Sequence, residues 1–253
     1  MGKGVEIVIL AAGLGTRMKS NKAKVLHEIH AKPMVLYVLE AAARSTGEDI
    51  VLVVGHQAEQ VKAVCAGGGH VKFAHQKEQR GTGHAVQCAM DVLSPRSECI
   101  VILCGDVPLL KSATIDSLIA DHRRNRWDLS LLAVEIEDPS GYGRVRVDRN
   151  RGLQRIVEES DATPDEKGIK LINAGIYCVE RRFLESALNR LTADNAQGEY
   201  YLTDIVAIGY EDGKRMGVVV GTDVNEVMGV NNLKELEKAA QVLAARCGGH
   251  AVF

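Results

Sequence analysis

Continuous apolar runs of strand length alternate with helical segments through the first half of this chain, and that alternation restricts the fold more than any other feature. Val5–Ala12, Asp49–Gly55 (DIVLVVG), Cys99–Cys104 and Leu129–Ile136 (LSLLAVEI) are dense in Ile, Val and Leu. Strands of this kind are buried on both faces, as in parallel sheets covered by helices. Between them, Pro33–Arg44, Gln57–Cys65, Gly81–Leu93 and Lys111–Arg126 read as helices, the first opened by proline. Val71–His75 reads as a short strand. The βαβα order predicts an α/β fold with a Rossmann-like, doubly wound, mostly parallel sheet.

The second half changes character. Gly143–Asp148, Ile169–Val179 and Met216–Val220 read as strands, and Arg181–Leu191 and Thr203–Tyr210 as helices. A polar excursion, Glu158–Gly168, separates the first two strands. Asn232–Ala245 is an amphipathic terminal helix, with Leu233, Leu236, Ala240 and Leu243 at three- and four-residue spacing. These elements predict a smaller β subregion joined to the main sheet. No Gly/Ser linker divides the halves, so residues 1–253 are expected to form a single domain.

The 253 residues are 46% hydrophobic and 25% charged, enough for a large core and unlike a disordered chain. The formal charge is −2 (31 cations against 33 anions), which calls for neither nucleic acid nor a membrane surface as partner. No apolar run approaches transmembrane length, and the N-terminus lacks the features of a signal peptide. Six cysteines are scattered with no C-x-x-C pair, and Cys99 and Cys104 straddle an apolar run as core residues would. Reduced thiols in a cytoplasmic protein are the expectation.

Ligands of such sheets sit beyond the carboxyl ends of the strands. Three stretches fall there: the loop in ILAAGLGTRMKSNKAKVL (residues 9–26), CGDVP after Cys99–Cys104, and GYGR after Leu129–Ile136. The loop is not a Walker motif, because Met18 rather than glycine precedes Lys19-Ser20. It is not a dinucleotide fingerprint either, because Met18 takes the place of the third glycine. What remains is a glycine loop with cations. Gly13 and Gly15 can bring backbone N–H groups to an anion, Arg17 offers a bidentate fork, and Lys24 a point charge. Taken alone, the loop serves equally as a strand–helix turn with solvated lysines, and Lys19 and Lys22 are expected to be solvated.

The motifs taken in order are more specific. LAAGLGTRM with KVLH, QKEQRGTGHA (Gln76–Ala85), GDVPLL (Gly105–Leu110), GYGR (Gly141–Arg144), IVEESDAT (Ile156–Thr163), INAGIY (Ile172–Tyr177), NAQGEYYLTDI (Asn195–Ile205) and GVNN (Gly229–Asn232) run along almost the whole chain. This series resembles the sugar-1-phosphate nucleotidyltransferases, most of all the pyrophosphorylase domains of bacterial N-acetylglucosamine-1-phosphate uridyltransferases.

The resemblance implies transfer of a uridylyl group from UTP to N-acetylglucosamine-1-phosphate with release of pyrophosphate. Both reactants are anions. Two unit charges 4 Å apart repel by ~1 kcal/mol in water and ~4 kcal/mol at an effective dielectric of 20. Catalysis is then mostly alignment and charge neutralisation, with no protein nucleophile.

The resemblance assigns Mg²⁺ to Asp106 and Asn231, and Arg17 and Lys24 to the triphosphate and departing pyrophosphate. The nucleotide falls to Ala11, Ala12, Gly13, Gln76, Gly81 and Thr82, and the sugar to Gly143, Glu158, Asn173, Tyr201 and Thr203. By residue type alone, several have rival readings. Asp106 could cap a helix, Asn231 could be the N-cap of the terminal helix, and Gln76 could be an exposed loop residue. Glu158 lies in a charged stretch of the kind usually solvated, and Glu159 is expected to be so. His84 is expected to pack or to make a backbone hydrogen bond rather than to catalyse, and the other histidines show no ligand-like spacing.

Two departures stand out. Cys104 occupies a position that is often tyrosine in the family, which bears on the exact sugar. No hexapeptide repeat of the left-handed β-helix acetyltransferase domain is present, so no acetyl transfer and a monomer or weak oligomer are expected. Alternatives are a related enzyme with another sugar-1-phosphate, such as glucose-1-phosphate, or another nucleotide, and a non-catalytic nucleotide-sugar-binding module.

Overall fold

The computed structural model describes residues 4–47, 49–67, 71–149 and 152–248. In chain order the strands are β1 (Val5–Ala11), β2 (Glu28–Ile29), β3 (Lys32–Pro33), β4 (Ile50–Val54), β5 (Val71–His75), β6 (Cys99–Cys104), β7 (Leu129–Glu135), β8 (Arg144–Val147), β9 (Leu153–Val157), β10 (Leu171–Glu180) and β11 (Met216–Val220). The helices are α1 (Met34–Thr46), α2 (Ala58–Cys65), α3 (Thr82–Met90), α4 (Ser112–Asn125), α5 (Pro164–Lys167), α6 (Arg181–Leu188), α7 (Asp204–Glu211) and α8 (Leu233–Gly248).

The main sheet runs β11-β7-β10-β6-β1-β4-β5, with β8 joined to β10 and β9 to β8. β1 pairs in parallel with β4 and β6, β4 with β5, and β7 with β11. Two cores explain the unbroken apolar runs. On one face Ile7, Ile9, Leu52, Val101 and Leu103 meet α1, α2 and α4 through Val38, Val61 and Leu118. On the other, Val8, Val51, Ile100 and Ile102 meet α3, α6 and α7 through Val86, Leu184 and Val206. Alternate residues of one strand thus enter different cores, and neither face tolerates polar alternation.

β10 is the exception to the parallel pattern. It lies between β6 and β7 and is antiparallel to both. Its register against β7 shifts between Asn173 and Ile176, where Gly175 takes φ +71. Residues 144–180 hold more structure than the sequence signalled. The expected polar excursion contains α5, and β9 precedes it, pairing with β8. The signal for α5 was Thr163-Pro164-Asp165-Glu166. Thr163 and Glu166 form a reciprocal capping box with proline in the first turn.

A third apolar cluster, Ile29, Met34, Leu109, Val230 and Ala239, seats α8 against the β2–β3 hairpin and the start of α1. This docking brings the distal GVNN segment back beside the first loop. Among the described residues, no helix is long and apolar enough to cross a membrane.

Candidate active site

The chain leaves β1 at Ala11 and makes two single 3₁₀ turns, Thr16–Met18 and Lys24–Leu26, pinned by the buried Met18, Val25 and Leu26. Gly15 is required by both conformation and space. Its φ is +65, and a Cβ there would lie 2.5 Å from Cβ of Lys24. Gln57, in the left-handed region ahead of α2, holds the loop's far side: its Oε1 accepts from the Ala23 amide at 2.7 Å and its Nε2 donates to the Asn21 carbonyl at 2.5 Å. Lys24 therefore starts from a fixed backbone. Lys22 is exposed and pairs with Glu28 at 2.8 Å.

Asp106 follows β6 by two residues. The Gly105 amide donates to Leu10 O at 2.9 Å, which extends the ladder to the strand's end and brings Asp106 to the loop. The amide of Val230 donates to Asp106 O at 2.9 Å. Of the two asparagines in GVNN, Asn232 caps α8: its Oδ1 accepts from the Glu235 amide at 3.0 Å. The rival reading of Asn231 as that cap is thereby corrected. The Asn231 side chain is directed to the cleft, where its Oδ1 accepts from Arg17 Nη2 and from Lys24 Nζ, each at 2.8 Å. Lys24 Nζ also forms an ion pair with a carboxylate oxygen of Asp106. One ammonium joins a carboxylate and an amide oxygen supplied by segments far apart in the chain.

Two adjoining cavities open on this cluster. The first is lined by Ala11, Ala12 and Gly13, by Arg17, Lys24, Asp106 and Asn231, and by Gln76, Gly81 and Thr82. Gln76 is buried, not exposed on a loop. Its Nε2 lies 3.0 Å from Gly81 O and 3.1 Å from His84 Nδ1. Both N–H groups are therefore engaged, and the carbonyl oxygen is what the amide can still offer. His84 thus meets a side-chain amide, not the backbone group expected for it, and helps to orient Gln76. Gly81 takes φ +103, and a Cβ there would lie 2.6 Å from Tyr200 O, so β-to-helix passage at this point needs glycine.

The second cavity shares Leu10, Thr82, Cys104 and Asp106 with the first and is walled by Gly143, Glu158, Asn173 and Thr203. Glu158 Oε1 accepts from Thr203 Oγ1 at 3.0 Å. Burial pushes the Glu158 carboxyl above its ordinary range. Asn173 is held by three bonds: its amide donates to Gly143 O (2.8 Å), its Nδ2 to the Tyr177 hydroxyl (2.7 Å), and its Oδ1 accepts from the Gly175 amide (2.9 Å).

Tyr201 is not among the lining residues; its hydroxyl meets Asp161 and Ser160 at 3.2 and 3.3 Å. Glu159, expected to be solvated, keeps 36% of its side chain exposed while it pairs at 2.6 Å with the fully buried Arg144 and accepts from the Gly141 amide at 3.0 Å.

Residues 7–137 match the family described as the MobA-like NTP transferase domain. The chain belongs to that family. The bifunctional protein GlmU of Trichlorobacter lovleyi is 46% identical over 239 residues, 94% of this chain and 52% of the relative. The GlmU of Clostridioides difficile is 41% identical over 239 residues. The chain spans about half the length of the curated relatives it matches. The crystal structure of a Bacillus anthracis protein described as a glucose-1-phosphate thymidylyltransferase shares the fold, with a TM-score of 0.76, 19% identity and 94% of each chain covered.

Within this NTP transferase domain, the matched span carries the first loop, Gln76, Gly81, Thr82 and Asp106, whereas Asn231 and the second cavity's Gly143, Glu158, Asn173 and Thr203 lie beyond it. Cys104 stands where the two cavities meet, its thiol pushed up to about 12 by burial and then by the Asp106 charge. Its Sγ packs on Gly175, where a Cβ would come within 2.9 Å.

Proposed function

We propose that this chain transfers a uridylyl group from UTP to N-acetylglucosamine-1-phosphate, forming UDP-N-acetylglucosamine and pyrophosphate. One observation carries the reading: Arg17, Lys24 and Asn231 converge in the first cavity on Asp106, which lines both cavities. A pure binding module has little use for two cations and two hard oxygen ligands at the junction of two pockets. The identity and length of the likeness to GlmU support the choice of nucleotide and sugar.

In the reaction, a phosphate oxygen of the sugar-1-phosphate attacks the α-phosphorus of UTP. The new P–O bond forms as the α–β bridge breaks, and both electrons of that bridge leave with pyrophosphate. Arg17 and Lys24 lie where they can hold the triphosphate and stabilise the charge on the leaving group. Gly13 leaves open space at its Cα, so backbone can approach the nucleotide there. Gln76 presents an acceptor, which complements the imide N–H of uracil and opposes the acceptor that cytosine shows at the same position.

Asp106 and Asn231 suit Mg²⁺. Both offer hard oxygens, and both already converge on a single positive group, the Lys24 ammonium. When bound, the ion supplies neutralisation of phosphate charge. Glu158, Thr203, Asn173 and the Gly143 backbone provide donors and acceptors for sugar hydroxyls. Tyr201 would act from behind this wall, through Asp161 and Ser160.

The test is pyrophosphate release with Mg²⁺ over a grid of nucleoside triphosphates and sugar-1-phosphates. UTP with N-acetylglucosamine-1-phosphate is expected to be the best pair. A better rate with glucose-1-phosphate would reassign the sugar, and silence across the grid would overturn the enzymatic reading.

A further inference from the structure

At the end of the sheet opposite the cleft, three elements bring Cys99, Cys178 and His122 together. Cys99 begins β6, Cys178 lies near the end of β10, and His122 comes from α4. All three are buried, and one ligand atom from each falls within 4.8 Å of the others. The thiols are 3.0 Å apart. The imidazole is held between Ser130 Oγ (2.9 Å from Nδ1) and the half-exposed Glu180 carboxylate (3.3 Å from Nε2). A cavity lined by Cys99, His122, Glu180 and Trp127 opens beside them. No sequence spacing announces this cluster, because its members come from three elements.

We propose that Cys99, Cys178 and His122 form a binding site for a thiophilic divalent cation, zinc above all, with Glu180 as the fourth ligand. The donor set is two thiolates, an imidazole and a carboxylate, the chemistry that selects zinc over the hard ions of a phosphate site. Ser130, at Nδ1, fixes the ring's orientation, as partners of metal-bound histidines do. The cavity provides an entry path, and Glu180 stands at its wall.

A disulfide accounts for the same geometry less well. The register sets Cys178 opposite Val101 and Glu180 opposite Cys99, so the two thiols meet along the ladder's diagonal. Diagonal neighbours have Cα atoms ~7–8 Å apart, at or beyond the reach of a disulfide. Two bonds of ~2.3 Å to a tetrahedral ion need the sulfurs about 3.7 Å apart, a small opening from the present contact. Binding replaces both thiol protons, so each ion bound as M²⁺ releases two protons and oxidises nothing.

The site is separate from the cleft. β6 joins the two, with Cys104 at the cleft end and Cys99 five residues away, roughly 17 Å along a strand. A bound ion would staple α4 to β6 and β10, whatever reaction the cleft performs.

The test is titration of the full chain, purified with a phosphine reductant, using Co²⁺ as the probe. One equivalent should bind with thiolate-to-cobalt charge-transfer absorption, and Zn²⁺ should displace it. The signal should vanish in Cys178→Ser and Cys99→Ser, weaken at least tenfold in His122→Asn, and persist in Cys65→Ser, Cys88→Ser and Cys104→Ser. Because the core variants could fail to fold, zinc-edge X-ray absorption on the unaltered protein gives a second reading, with two sulfur scatterers expected near 2.3 Å. A shell of oxygen and nitrogen alone would overturn the proposal. So would thiolate absorption that persists in Cys178→Ser, or a Cys99–Cys178 disulfide in protein that binds no cobalt after reduction.

Discussion

The amide of Val230 donates a 2.9 Å hydrogen bond to the carbonyl oxygen of Asp106. This one backbone contact ties the segment after β6 to the segment before α8. It sets Asp106 and Asn231 side by side, with the Lys24 ammonium bonded to both. The proposed chemistry depends on that convergence.

Replacing Asp106 by Ala removes the carboxylate that pairs with Lys24 in the first cavity. Mg²⁺-dependent pyrophosphate release is expected to fall at least about 100-fold, the scale of losing one preorganised electrostatic contact. The far-UV circular dichroism should be unchanged. Near-normal turnover would remove Asp106 from the ion's ligands.

The two neighbouring asparagines separate function from stability. Asn232→Ala deletes the cap on Glu235 and should cost ~1 kcal/mol of stability with little change in turnover. Asn231→Ala should do the reverse, since its Oδ1 serves Arg17 and Lys24. Denaturant unfolding and kinetics on the same pair of variants decide this, and equal effects of both substitutions would contradict the division.

Gly15→Ala puts a methyl group against Lys24 at a residue with φ +65. The left-handed conformation alone costs a non-glycine residue ~1–2 kcal/mol. The collision with Lys24 adds displacement of the ammonium, so turnover should fall more than the loss of stability explains. An active, fully stable variant would show that the loop tolerates a different path.

Glu166 gives a pH signature. The Thr163 amide, then the Thr163 hydroxyl, Arg155 and Arg146, hold its carboxyl down from an ordinary 4.5 to about 2. A depressed carboxylate contributes stability above its unfolded pKa, and that contribution is lost as pH falls through its folded value. Glu166→Gln should therefore be less stable than the parent at neutral pH. The difference should shrink between about pH 4.5 and 2 and disappear below. A gap between the two unfolding curves that is independent of pH across this window would refute the assignment.

Much of the architecture was legible in the sequence. The apolar runs that became β1, β4, β6 and β7 needed no tertiary information, because a strand buried on both faces has no polar alternation to hide it. The residues around the cleft were nameable in advance through their ordered motifs, and the structure gathers all but Tyr201 along the two cavities. β9 escaped notice because Gln154 and Arg155 interrupt its apolar pattern within a charged stretch. α5 was missed although its capping box was written in the chain.

The sequence by itself determined the layered α/β sheet and the loop at its carboxyl edge, since periodicity, glycine placement and strand burial are properties of neighbouring residues. Only the tertiary structure decided that β10 runs backwards between β6 and β7, that Asn232 rather than Asn231 caps α8, and that Cys99, Cys178 and His122 meet. Each of these outcomes depends on register and docking between segments distant along the chain. Such contacts are settled by which apolar faces can be buried together, and that competition involves the whole molecule at once.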